Sequence, residues 1–185
     1  MTGRTGFLCM AILFAALASL SVAPDARAAT KAELNRDGSR VLKTLLKGNK
    51  AARTLAGKAT AILVFPSITK AGFMVGGQIG EGVLFEKDKP VGYYSSVAAS
   101  YGWQAGVQKF GYALFFMNQK ALEYLDQSGG FEVGMGPSIV VVDEGMGKSM
   151  TSTTATQDVY AFIFSQKGLM AGMGLQGSKI TKLDK

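Results

Sequence analysis

The sequence predicts one α+β domain built on a strongly coiled, glycine-rich antiparallel β-sheet or partial barrel, with an N-terminal amphipathic helix and one inserted helix. Three observations lead there. Apolar residues ahead of Gly57 recur at three- and four-residue steps, the helical period. Beyond it the texture changes: twenty of the 24 glycines lie between Gly57 and Gly177, interleaved with short runs of Val, Ile, Phe, Tyr and Met, which read as strands. No Pro- or Ser-rich linker divides the 185 residues, and about 157 residues after the leader suffice for one core. Glycine inside a strand ordinarily weakens it, so this density points to bulges, tight coiling or close backbone approach.

Residues 1–28 read as a cleavable export signal: Arg4 near the start, an apolar core over 7–22, then the small residues Ala26 and Ala28 ahead of Ala29. That core is short of the roughly 20 residues a bilayer requires, which favours a signal over a retained anchor. Cys9 sits at the front of the core, away from the cleavage point where a lipid-anchored protein needs its cysteine. Residues 29–58 make a basic amphipathic helix with Leu34, Val41, Leu42, Leu45, Leu46, Ala52 and Leu55 on its apolar side, and Gly48-Asn49 weakens it at a point open to a break or a kink. Residues 59–185 form the glycine-rich body. Strands are predicted near 61–65, 72–77, 81–85, 91–98, 104–108, 112–117, 138–142, 159–165 and 169–176, and the polar segment 86–90 as a hairpin loop. The inserted helix spans 119–127, with Asn118 as its N-cap and Gly129-Gly130 ending it. Residues 151–157 read as a flexible loop.

Composition excludes several chemistries. The chain has no histidine, and its one cysteine lies in the leader. The exported form therefore lacks the side chains for disulfides, Cys/His zinc sites, thiol nucleophiles and Ser-His-Asp triads. Gly145-Met146-Gly147-Lys148-Ser149 ends like a phosphate loop, but Val142 stands where that loop needs its first glycine. Gly172-Met173-Gly174-Leu175-Gln176-Gly177 has dinucleotide spacing with too little chain after it for the helix and acid that motif requires. Tyr93, Tyr94, Trp103, Tyr112 and Phe115 read as core, since Lys109 alone among basic residues lies near the aromatic run. No nucleotide, nucleic acid, metal or cofactor is implied. One catalytic alternative stays open, an envelope hydrolase. Ser67-Ile68-Thr69-Lys70 has the Ser-x-x-Lys spacing of lysine-activated acylases, and Asp143-Glu144 could act as a carboxylate pair.

The signal for a partner is charge. Residues 29–58 hold eight basic side chains against Glu33 and Asp37, a net of +6, whereas 59–185 hold ten of each sign and sum to zero. On a helical wheel Arg36, Arg40, Lys43, Lys47 and Lys50 fall within about 80°, nearly opposite the leucines. Such a stripe suits anionic membrane lipid, at about 1 kcal/mol per basic residue, with Lys58 and Lys70 as further contacts. Two alternatives remain: a solvated helix face, or a helix that undocks and inserts its leucine side.

The run Ala61-Ile62-Leu63-Val64-Phe65-Pro66, then Lys70-Ala71-Gly72-Phe73, Gly76-Gly77 and Gly80-x-Gly82, resembles the SYLF-domain family. The resemblance continues through Tyr101-Gly102, Gln104-x-Gly106, Asn118-x-x-Ala121-Leu122, Gly134-x-Gly136-Pro137, Tyr160-x-Phe162 and Ser165-x-Lys167-Gly168-Leu169-x-x-Gly172, over about 45–183. Tyr94-Ser95 departs from the Trp-Ser of many members. The resemblance implies a non-catalytic module: members bind phosphoinositides through a basic N-terminal helix, or bind and bundle actin. An exported protein would meet neither ligand in its own envelope, so the transferable expectation is affinity for anionic lipid. An actin-like or host-protein interaction module is the alternative.

Overall fold

The computed structural model describes residues 28–127, 131–133, 136–142, 156–167 and 177–185. The helical region opens at Thr30, whose hydroxyl accepts from the Glu33 N–H while the Glu33 carboxylate accepts from the Thr30 N–H at 2.8 Å, a capping box. Helix α1 is Lys31–Gly48 and α2 is Lys50–Ala56. Asn49 separates them in extended conformation (φ −122°, ψ 115°), donating its N–H to Leu45 and accepting from the Ala52 N–H at 2.9 Å. The weak point is a break. Arg53 reinforces it by donating to the Leu46 and Lys47 carbonyls at 2.8 and 2.7 Å, which supplies partners for acceptors that a helix end leaves orphaned.

Two long strands replace the six short ones predicted over 61–117: β1 is Ala61–Glu86 and β2 is Lys89–Phe116. They pair antiparallel along their whole length, from Ala61 opposite Phe116 to Glu86 opposite Lys89. The Gly and Pro positions read as strand ends lie within the two strands. Register shifts fall between Phe65 and Ile68, around Pro66, between Gly72 and Met74, and between Leu84 and Phe85. Proline has no N–H to donate and is tolerated at such bulges. The hairpin closes on Lys87 and Asp88, both left-handed (φ 47° and 67°), the two-residue geometry that matches strand twist.

Helix α3, Gln119–Leu125, follows under the Asn118 cap (Asn118 Oδ1 to Ala121 N, 2.8 Å) and ends before 127, at Asp126. Strands β3 (Phe131–Glu132), β4 (Ile139–Val141), β5 (Val159–Lys167) and β6 (Lys179–Lys182) complete the described sheet. Strand β2 is central: β5 pairs with its Lys109–Phe116 half and β6 with Tyr94–Val97, while β3 extends β6 and β4 extends β5. The sheet curls into a half-barrel, so the α+β class holds. It departs from the antiparallel expectation in one pair: β4 and β5 are parallel, which a crossover of about a dozen residues permits and the stretch 142–158 supplies. Strands β3 and β6 were not predicted. The segment 169–176, most of the loop at 151–157 and the leader apart from Ala28 lie outside the described residues.

Around 61–65 and 112–116 both faces of the sheet are covered. Leu63, Phe65, Tyr112, Leu114 and Phe116 pack into one apolar cluster with Ala121 and Leu125 of α3, whereas Ile62, Val64, Ala113 and Phe115 pack into a second with residues of α1 and α2. Burial on two faces explains why 61–65 is a continuous apolar run rather than an alternation. Leu34 of α1 is buried, and Leu42 of α1 with Ala51, Ala52 and Leu55 of α2 is buried in that second cluster. Gly38 sets how closely α1 sits: a Cβ there would overlap Cγ1 of Val83 and approach the Phe85 ring to 3.3 Å.

Candidate functional site: a basic helix face

The buried side of α1 fixes where its charges go. Leu34, Gly38 and Leu42 face the sheet, so at about 100° per residue Arg36, Arg40, Lys43 and Lys47 lie within about 60° of one another on the opposite side. All four are exposed. The leucine face is docked: Leu34 and Leu42 are buried and Leu45 and Leu46 half-buried. Lys50 is also exposed, but it begins α2 beyond the extended Asn49, so one helical wheel does not relate it to the other four. Lys58 is exposed in the turn after α2, and Lys70 is partly buried in β1 opposite Gln108. Neither belongs to the stripe by helical geometry.

Two residues modify the stripe. Asp37 accepts from Arg36 Nε at 3.2 Å and Arg40 Nη2 at 3.3 Å, and the Arg36 hydrogen bond in particular holds its carboxyl below the usual value. The same pairing raises the Arg36 guanidinium further. Arg53, absent from the predicted set, is spent on the α1 carbonyls. The Asp37–Arg40 pair was readable beforehand from its three-residue spacing on a helix; the Arg36 contact, between adjacent residues, and the role of Arg53, which depends on the break, were not. The N-terminal end of α1 is tied to the sheet by Tyr93, whose hydroxyl donates to Asn35 Oδ1 at 3.1 Å, with Lys31 Nζ 5.9 Å from its ring centre.

The catalytic alternative gains no geometry. Ser67 is exposed at the β1 bulge and no hydrogen bond joins it to Lys70, while Asp143 and Glu144 lie outside the described residues. Among the described residues no three His, Cys, Asp or Glu side chains gather as a metal site, and no helix is long and apolar enough to cross a membrane. Asp158 instead binds Asn118 Nδ2 at 2.8 Å and Ser138. Tyr94 is buried and donates to Asp126 at 2.7 Å.

Residues 97–185 match the family model Ysc84, described as Las17-binding protein actin regulator. The match corresponds to the SYLF resemblance over that stretch and takes in most of β2, α3 and β3 to β6. Its description is of a binding protein. The match begins at Val97, so α1, α2, β1 and the basic stripe lie outside it. No curated protein matches the chain.

Proposed function

We propose that the protein is an exported, non-catalytic module that associates with anionic phospholipid at an envelope membrane through Arg36, Arg40, Lys43 and Lys47, with Lys50, Lys58 and Lys70 as outlying contacts. One observation carries this reading: four exposed cations stand on the side of α1 opposite its buried leucines, on a body whose remaining charge sums to zero. Four such residues near a charged surface contribute about 1 kcal/mol each, so attachment is peripheral and salt-sensitive. Because the leucines are docked, contact is with headgroups and does not involve helix insertion. Co-sedimentation of the mature protein with phosphatidylglycerol or cardiolipin vesicles, against phosphatidylcholine alone, tests it. Binding to the anionic vesicles only, weakened by salt and abolished when the four residues are changed to Gln, is expected; equal sedimentation with both at low salt would sink the proposal.

A second reading is favoured by the Ysc84 match, whose description concerns a protein-binding actin regulator. In that reading 97–185 carry a protein-interaction surface, with Val97 and Val107 exposed on β2. Filament pelleting with the mature protein separates the two, since the four Gln substitutions would leave this interaction intact.

A further inference from the structure

Glu81 lies in β1 beside the segment that leads into α1. Its Oε2 accepts from the Ala29 backbone N–H at 2.9 Å and from Lys185 Nζ at 2.9 Å, and the same Nζ donates to the Ala29 carbonyl oxygen. The Glu81 and Lys185 side chains are only 22% and 16% exposed. One shielded carboxylate thus gathers two residues 156 positions apart. One of them is the residue that follows Ala26-Arg27-Ala28.

We propose that Glu81 is the receiving site for the α-ammonium group formed when the Ala28–Ala29 peptide bond is hydrolysed, so that removal of the leader seats the start of α1 on β1. This rests on the export signal in the function proposed above. The step is a hydrolysis by an envelope endopeptidase that selects small residues ahead of the cleaved bond. Water adds across the bond: the Ala28 carbonyl carbon gains its oxygen and leaves as a carboxylate, and the Ala29 nitrogen keeps the bonding pair and takes up protons to become –NH3+. The existing amide-to-carboxylate hydrogen bond becomes an ammonium-to-carboxylate one, of the stronger charge-assisted class.

Several charges meet the new ammonium. Glu81 attracts it, Lys185 repels it, the N-terminus of α1 disfavours a cation, and Glu33 and Lys31 stand in the first turn with opposite signs. Glu81 is the closest and sets the direction. An α-amino group held by it titrates higher than the same group without it, so the contact stabilises below that value and is lost as the pH rises through it.

The test uses the full chain expressed with its leader and recovered from the envelope fraction. N-terminal sequencing is expected to give Ala29 first; any other first residue overturns the proposal. The Ala29 Cα shift is then followed by NMR from pH 6 to 9.5. Against the wild type, the midpoint is expected to fall by about one pH unit or more in Glu81→Gln, the size expected for an opposite charge within reach, and to rise in Lys185→Gln. If Ala29 is first but neither variant moves the midpoint, the receiving site is refuted while export stands. Failure of the vesicle experiment would leave this result untouched.

Discussion

Asp37 is an acid set among four cations, and its charge subtracts from whatever α1 meets. Its carboxyl is held below the usual range by the Arg36 hydrogen bond, so it stays ionised at neutral pH. Asp37→Asn should strengthen sedimentation with anionic vesicles about five-fold, one charge at about 1 kcal/mol; an unchanged isotherm would count against the stripe. Gly38 gives a second test at this scale. Helix propensity alone makes Gly38→Val stabilising, whereas the overlap with Val83 makes it costly. We expect a loss of about 1–3 kcal/mol in urea unfolding, as for other overpacked sites. From the sequence Gly38 reads only as a weak point in a helix, because the side chains it admits lie 45 and 47 positions further on.

At the scale of elements, the helices were more legible than the strands. The leucine spacing, the Gly48-Asn49 break and the Asn118 cap each depend on neighbours within a turn or two, and each stands where the residues place it. Strand ends depend on partners far away. Pro66 and the gap around Gly80 read as breaks between short strands, yet a register shift absorbs Pro66 and Gly80 pairs with Ser96 in regular register, because β2 lies alongside throughout. The hairpin turn offers a direct measurement. Lys87 and Asp88 both hold left-handed backbone, which costs an ordinary residue roughly 1–2 kcal/mol, while Asn-Gly adopts it readily. Replacing the pair by Asn-Gly should raise stability by about 1 kcal/mol and the melting temperature by about 2–4 °C. A lower melting temperature would show that the native pair makes compensating contacts.

For the whole molecule, two aspartates hold α3 at its ends. Asp158 joins the start of β5 to the Asn118 cap and to Ser138, and the Asn118 hydrogen bond foremost holds its carboxyl low. Asp126 joins Tyr94 of β2 and Lys182 of β6; burial pushes its carboxyl up, but the Lys182 and Tyr94 hydrogen bonds outweigh that and leave it lowered. A lowered carboxyl stabilises above its unfolded value and ceases to as pH falls through its folded one. The urea midpoint should therefore be flat from pH 7 to 5 and fall below about pH 4, less steeply in Asp158→Asn. A midpoint that does not fall there would deny these aspartates that role. None of this wiring was legible in advance: Asp126 and Asp158 carry no local signal of their partners. The charge imbalance between 29–58 and the rest, by contrast, was complete in the sequence, because counting charges needs no fold.

Docking of α1 on Val83 and Phe85 also fixes an order of events. Chains are made from the N-terminus, so α1 exists before the surface that covers it has been synthesised. At about 5–20 residues per second, that delay is on the order of seconds. Throughout it an amphipathic helix with open leucines is available to chaperones. The hairpin turn at Lys87-Asp88 comes within a few residues of Val83 and Phe85, but the apolar cluster that covers the two helices also takes in Ala113, Phe115, Tyr160 and Phe162, so the exposure ends only when β2 and β5 have emerged.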